Sequence, residues 1–462
     1  MWRRTVVVVG VGAAGAMVAV RICEGAVRRG RALDLVLVEP AAVAGRGVAY
    51  GTDDPRHRLN VPAGNMSCRA EEPGDFVRWL CRHGVPEAAA ADFVERRRYG
   101  AYLADTLGRA IIDARGTVRV RRLRTRVAGC RWRGAGARVE LADGGTLDAD
   151  CVVLATGAGP VAVPGWAPEE LRASGRFVVD PWAPGALDAV RGDVLLVGTG
   201  LTAVDVALRL DRVGRTVHAV SRGGRLPRAH AEHPRPAAVC EDPLDGLPLA
   251  GLRAAVRRHV GRVLRAQGDW RPAVDGLRPL TARLWAALSE EDRAAFVERD
   301  SALWNVHRHR MPPVTARAVS RMRRTRRLRL RAGRVEGFRP GADGGVVATL
   351  ATAGGTEELA VGWVVNCTGV HPPVAESGDP LWRGLLADGE AVPGPLGMGV
   401  ATDGGRLRGA DGRAARALWT LGAPRRGELW ETTAVPEIRV QAAAVAEAVL
   451  DHLEGEGEGE EG

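Results

Sequence analysis

Apolar residues along this chain gather in short runs broken by glycine turns, and the same succession occurs twice. Residues 5–9 are a continuous β-branched run, the pattern of a strand buried on both faces of a parallel sheet. A glycine turn follows, then a helix-like stretch over residues 13–29 and a second apolar run over 33–38. Residues 118–139 read as short alternating strands, and Ala142-Asp143-Gly144-Gly145 as a hairpin turn. Cys151-Val152-Val153-Leu154-Ala155-Thr156-Gly157 then returns as a strand ending on small residues. From residue 193 the plan repeats: a strand over 193–197, the turn Gly198-Thr199-Gly200, a helix over 203–213 and a strand over 216–220. A meander over 328–350 leads to Trp363-Val364-Val365-Asn366-Cys367-Thr368-Gly369.

The repetition predicts an α/β fold with two Rossmann-like dinucleotide-binding domains, the second inserted in the first. Residues 1–180 and 360–453 fall to the first domain and 190–359 to the second. Between about 248 and 300 apolar residues recur at helical spacing among many charges, which predicts a small helical insert. Residues 454–462 alternate Glu and Gly, and a self-repelling segment with nothing to bury is expected to be disordered.

The glycine turns carry the first chemical signal. In Gly10-Val11-Gly12-Ala13-Ala14-Gly15, Gly10 permits the tight turn and Gly12 lets backbone approach a pyrophosphate. Gly15 lets helix and strand close together, and Ala14 belongs to the same cofactor-facing first turn. Glu39 ends the next strand at the usual offset, where a carboxylate hydrogen-bonds ribose hydroxyls and repels a 2′-phosphate. In Gly198-Thr199-Gly200-Leu201-Thr202-Ala203 the third glycine is replaced by alanine, an allowed variant. The acid expected after its second strand is missing, and Ser221-Arg222 stands there instead. A hydroxyl and a guanidinium suit a 2′-phosphate, so NADPH is expected over NADH, although a plain surface arginine is the simpler alternative. Thr156-Gly157 and Thr368-Gly369 end strands that return to the nucleotide domains, where small residues fit backbone packed close to a cofactor.

Composition narrows the classes. At 462 residues the chain is too long for one compact core. The net charge of +10 raises nucleic-acid binding, but all 65 basic residues are Arg, spread along the chain among 55 acids, so no nucleic-acid partner is expected. Seven Cys at irregular spacings, with no Cys-x-x-Cys, argue for a reducing, cytoplasmic setting and against a disulfide-reductase chemistry. Trp2-Arg3-Arg4 before an apolar run mimics a secretory signal, but the glycine spacing favours a strand, turn and helix. No segment approaches the ~20 apolar residues of a membrane span, and no metal-ligand spacing surrounds His307 and His309.

Given these fingerprints, the chain resembles the two-domain FAD/NAD(P)H flavoproteins. More narrowly, it resembles a bacterial FAD/NAD(P)-binding family that includes nitrosuccinate-forming aspartate N-oxygenases. The narrower likeness rests on Gly45-Arg46-Gly47-Val48-Ala49-Tyr50, Arg58-Leu59-Asn60-Val61-Pro62-Ala63, Met66-Ser67 and Arg98-Tyr99-Gly100-Ala101-Tyr102-Leu103. Ser221-Arg222, Trp304-Asn305-Val306-His307-Arg308-His309-Arg310, Leu429-Trp430-Glu431-Thr432-Thr433-Ala434-Val435-Pro436-Glu437-Ile438-Arg439 and Gln441 complete it. It runs to about residue 453. Two departures stand out. The stretch Phe177-Val178-Val179-Asp180-Pro181-Trp182 lacks the His of ketone-oxygenating relatives, and Leu421-Gly422-Ala423-Pro424 lacks the Asp that in many flavoproteins binds the ribityl chain.

The resemblance implies FAD in the first domain and an NADPH-dependent monooxygenase that N-oxygenates a small amine or amino acid with O2. It places Asn60, Met66 and Ser67 on the flavin side, Glu437 in the opening of the last helix after Pro436, and Trp430 and Glu431 just upstream. Asn60 is equally suited to stabilising the turn before Pro62. The cluster at residues 304–310 suits an anionic substrate, with Arg308 as anchor, or the cofactor phosphates, or an ion-paired helix end. Asn60, Arg308 and Trp430 are the candidate catalytic residues. Oxygenation of carbon or sulfur, plain NADPH oxidation, and an FAD-binding redox sensor are the alternatives.

Overall fold

The computed structural model describes residues 3–133, 136–341, 344–369 and 373–458. Its first sheet has seven strands in the spatial order Thr402–Asp403, Arg406–Arg408, Ala414–Thr420, Cys151–Leu154, Arg4–Val9, Leu33–Val38 and Val118–Leu123. The last four and Ala414–Thr420 run parallel, with Val6 opposite both Leu35 and Cys151. Val6, Val7 and Val8 are fully buried because both faces are covered. Helices Ala13–Arg28, Arg96–Asp113 and Val435–Glu458 pack on one face. A three-stranded antiparallel sheet over 127–149 and the helix Pro380–Ala387 close the other.

The second sheet also has seven strands, in the order Gly355–Val361, Val346–Thr352, Leu328–Pro340, Val217–Ser221, Val194–Val197, Trp363–Asn366 and Phe177–Val178. Trp363–Asn366 and Phe177–Val178 lie outside the span 190–359 but hydrogen-bond into this sheet. The reason is the fold's own rule: the returning strand must lie beside the first strand of its own fingerprint, here Val194–Val197.

The insert comprises Leu249–Gln267, Arg271–Leu277, Thr281–Ala287, Glu290–Arg299 and Ser301–Arg308, so it continues past residue 300. Its apolar face does not stay in the second domain. It buries Trp285 and Phe296 against Trp430, and the Trp285 indole N–H donates to the carbonyl of Gly427 at 2.7 Å. Arg96 on the helix Arg96–Asp113 pairs with buried Asp205 on the second fingerprint helix at 2.8 Å, which ties the two domains together directly.

The expected disorder from residue 454 needs correction. The last helix runs to Glu458, and its end is tied down: Arg29 pairs with Asp451 and Glu454 at 2.7 and 3.1 Å, and Arg31 donates to the Leu453 carbonyl. Leu453 is fully buried, so the helix has an apolar anchor that the Glu–Gly alternation hides. Residues 459–462 lie outside the described residues.

Candidate functional site

The first glycine turn is shaped by hard contacts. Gly10 has φ +82°, and a Cβ there would sit 2.6 Å from the carbonyl oxygen of Ala155. A Cβ on Gly15 would lie 1.9 Å from the Gly10 oxygen, so only glycine lets this helix meet its strand. Gly12 differs. Its nearest neighbour would be Gly47 Cα at 3.4 Å, an ordinary contact, so the chain itself leaves room beside Gly12. The helix starts at Ala13, and its N-terminal amides face an anion-binding position. Glu39 is fixed beside this turn, accepting from Val11 N–H at 2.7 Å and Ala41 N–H at 3.0 Å. Ala14 approaches Gly422, whose φ is +77°.

The segment that lacks the Asp is held by other groups. Gln441 accepts from Gly422 N–H at 3.0 Å and donates to Thr432 Oγ1 at 2.8 Å, while Thr432 donates to the Gly422 carbonyl at 3.0 Å. Thr156 accepts from the Trp382 indole at 3.2 Å, and Gly157, at φ +70°, has nothing within 4 Å of its missing Cβ. A glycine-lined turn at a helix N-terminus, open space beside Gly157 and a carboxylate fixed at the end of the second strand fit a dinucleotide without a 2′-phosphate.

The second turn repeats the logic. Gly198 has φ +115° and its Cβ would strike the Cys367 carbonyl at 2.3 Å. Gly200 caps the helix Leu201–Leu210, with Leu201 and Thr202 in its first turn, and nothing lies within 4 Å of its missing Cβ. Ser221 Oγ shares a hydrogen bond with Thr199 Oγ1 at 2.8 Å and accepts from Gly224 N–H at 3.1 Å. Ser221 therefore builds the turn, and Arg222 beside it is exposed and unpaired among the described residues. Thr368 donates to the Asn366 side chain at 2.8 Å, and Gly369 follows at φ +62°.

The third cluster departs from expectation. Arg308 is an ion-pair partner of Glu431 at 3.0 Å, with both side chains about nine-tenths buried, and Trp304 donates to the same carboxylate at 2.8 Å. Arg310 pairs with Asp275, and Arg278 grips Glu437 through two bonds at 2.7 and 2.8 Å. Arg308 is thus not a free anchor for a substrate carboxylate. The pairing escapes sequence reading because the partners stand 123 residues apart. Trp430, also a catalytic candidate, is largely covered. It is 7% exposed, its ring lies 5.1 Å from Trp285 and 5.2 Å from Phe296, and its backbone sits at φ 57°. A bulky residue at such a φ stores strain of a kind that collects at functional positions.

Asn60 lies where the domains meet, its carbonyl bonded to His230 Nε2 at 3.0 Å, and its side-chain amide has no hydrogen bond among the described residues. Met66 and Ser67 are 2% and 0% exposed, and Ser67 Oγ accepts from Arg69 N–H at 3.1 Å. Cys68 is buried against the Tyr102 hydroxyl and Cys81 is exposed, and none of the seven Cys is in a disulfide. Among the described residues no group of three or more His, Cys, Asp or Glu is placed to hold a metal, and no helix is long and apolar enough to cross a membrane.

Burial, reinforced by Arg308, Arg278, Arg426 and Arg310, pushes His309 down to about 3. Burial and Arg310 push His230 down to about 4. Both lie below the ~6.5 of an unfolded histidine, so protons bind the unfolded chain first. Stability should therefore hold above pH ~6.5 and fall as pH drops toward 4, by up to about 1.4 kcal/mol per pH unit for each group. Denaturant midpoints at pH 8, 6.5 and 5 check this. A flat profile would contradict it.

Residues 7–159 match the model of an FAD-NAD(P)-binding family. No curated protein matches the chain in sequence. Among solved structures, ornithine N-hydroxylase of Kutzneria sp. 744, solved with reduced FAD, NADP+ and L-ornithine, is 17% identical, with a TM-score of 0.63 over 97% of this chain and 99% of that one. Ornithine hydroxylase of Pseudomonas aeruginosa is 15% identical, with a TM-score of 0.64 over 98% and 100%. The cadaverine monooxygenase of Erwinia amylovora, bound to FAD, is 12% identical, with a TM-score of 0.64 over 97% and 95%. The chain shares their fold across nearly its whole length.

Proposed function

We propose that the chain is an NADPH-dependent FAD monooxygenase that oxygenates the amine nitrogen of a small acidic amino acid such as aspartate. The observation that carries the reading is the pair of glycine turns in one chain, each opening a helix and followed by different chemistry: Glu39 at the first, Ser221-Arg222 at the second. Two such sites suit two different dinucleotides, and the structural neighbours named above act on ornithine and cadaverine amines or are hydroxylases of ornithine.

In this reading Gly10, Gly12, Ala14, Gly15, Glu39, Thr156 and Gly157 hold FAD, with Gly422 fixed over the turn by Gln441 and Thr432. Gly198, Gly200, Leu201, Thr202, Ser221, Arg222, Thr368 and Gly369 hold NADPH. Bound together, the cofactors supply a hydride and activate O2 for transfer to nitrogen. The protein contributes position and electrostatics. Burial and the Arg278–Arg308–Arg310–Arg426 cluster, which together hold His309 low, would also penalise an ammonium, holding a nearby amine neutral and nucleophilic. Asn60, with its unbonded amide at the domain junction, is the side chain placed to orient the amine.

The test is NADPH consumption by the flavin-loaded protein with and without aspartate, glutamate and ornithine. Stimulation by an acidic amino acid is expected. Arg222→Ala should raise KM for NADPH about ten- to hundredfold, the worth of one charge-assisted phosphate contact, and leave NADH nearly unaffected. Equal use of both cofactors by the wild type would overturn the assignment of Arg222.

A further inference from the structure

The guanidiniums that surround His309 are not matched one for one. Arg278, Arg308 and Arg310 each have a carboxylate, in Glu437, Glu431 and Asp275. The fourth, Arg426, has none: among the described residues no carboxylate or carbonyl accepts from its side chain. It is half-buried and lies over the Trp430 ring, 5.4 Å from guanidinium carbon to ring centroid. Four cations against three carboxylates leave one positive charge, and it resides on this residue.

The geometry points to Arg426 as the anchor for a carboxylate of the substrate. Three observations support it. A cation withdrawn from water without a partner is costly, and burial alone pushes the Arg426 guanidinium below its ordinary value. The Arg426 guanidinium lies over the Trp430 ring with none of its N–H donors engaged by a carboxylate or carbonyl among the described residues, and a guanidinium with free donors can grip a carboxylate bidentately. Its backbone belongs to the segment after Gly422, which Gln441 and Thr432 tie down beside the first glycine turn, so the anchor stands on rigid ground. Arg308, by contrast, is a positioning residue: it fixes Glu431, the neighbour of Trp430.

The inference takes its remaining substrate contacts from the amine-oxygenation reading, but its test needs no turnover. Succinate, which has the carboxylates of aspartate and no amine, is titrated into the flavin-loaded protein by calorimetry, with succinamide as the uncharged control. Wild type should bind succinate and not succinamide. Arg426→Gln should weaken succinate about ten- to hundredfold, and Arg426→Lys should not restore it, because a single ammonium cannot supply the two parallel bonds. Flavin content and the thermal midpoint of each variant are measured alongside.

A second measurement covers the case in which the variants misfold. Phenylglyoxal should modify Arg426 in the wild type, read by peptide mass, and succinate should protect it. Equal binding of succinate and succinamide, unchanged affinity in Arg426→Gln, or modification indifferent to succinate would each overturn the anchor. If succinate binds through Arg426 but no amine is oxygenated, the anion site stands and the proposed reaction fails. If amines are oxygenated and succinate binding ignores Arg426, the reverse holds.

Discussion

Gly12→Val should fold and purify without flavin. A Cβ at residue 12 meets nothing closer than Gly47 Cα at 3.4 Å, and φ there is an ordinary −71°, so the chain can accept the side chain. The dinucleotide cannot, because the pyrophosphate must approach the backbone where that side chain would stand. Flavin absorbance per protein should fall to near zero, while the unfolding midpoint matches that of wild type stripped of flavin. Gly15→Ala makes the contrast. Its Cβ would lie 1.9 Å from the Gly10 oxygen, so helix and strand must part, and the midpoint should drop along with the flavin. Stoichiometric flavin in Gly12→Val would remove the pyrophosphate from this turn.

Glu431→Ala should destabilise the protein by about 3–5 kcal/mol, because it strands the Arg308 guanidinium in a site where its side chain is only 10% exposed. The same change removes the acceptor of the Trp304 indole. The double variant Arg308→Met with Glu431→Ala should recover much of the loss, since no lone charge then remains buried. Denaturant unfolding of the two single variants and the double variant completes the cycle. Additive losses would mean that the pair is not coupled as its geometry requires.

The two nucleotide folds were legible in the sequence because each depends on local signals: an apolar strand run, a glycine turn with fixed spacing, and the residue that ends the next strand. Gly10, Gly15 and Gly198 meet carbonyl oxygens at distances no Cβ tolerates, so their identity is dictated by backbone contact. The anion site was not legible. Arg308 reads as a cation available to substrate until Glu431 is brought to it, and nothing in a chain with 65 basic residues distinguishes Arg426. Trp430 stands among the candidate catalytic residues in the sequence, but the insert packs Trp285 and Phe296 on it, a packing decision made between segments more than a hundred residues apart. The last helix outran its expected end for a similar reason. Arg29 and Arg31, at the other end of the chain, supply the contacts that hold it.

In the proposed reaction an oxygen atom of O2 reaches an amine nitrogen at the expense of NADPH. The most direct measurement incubates the flavin-loaded protein with NADPH, aspartate and isotopically labelled O2 and follows the products by mass. Labelled oxygen is expected on the aspartate nitrogen, as hydroxylamine or a more oxidised product, with NADPH consumed in proportion. NADPH consumed to hydrogen peroxide alone with every acidic amino acid, together with labelled oxygen on a sulfide or ketone offered in their place, would contradict it.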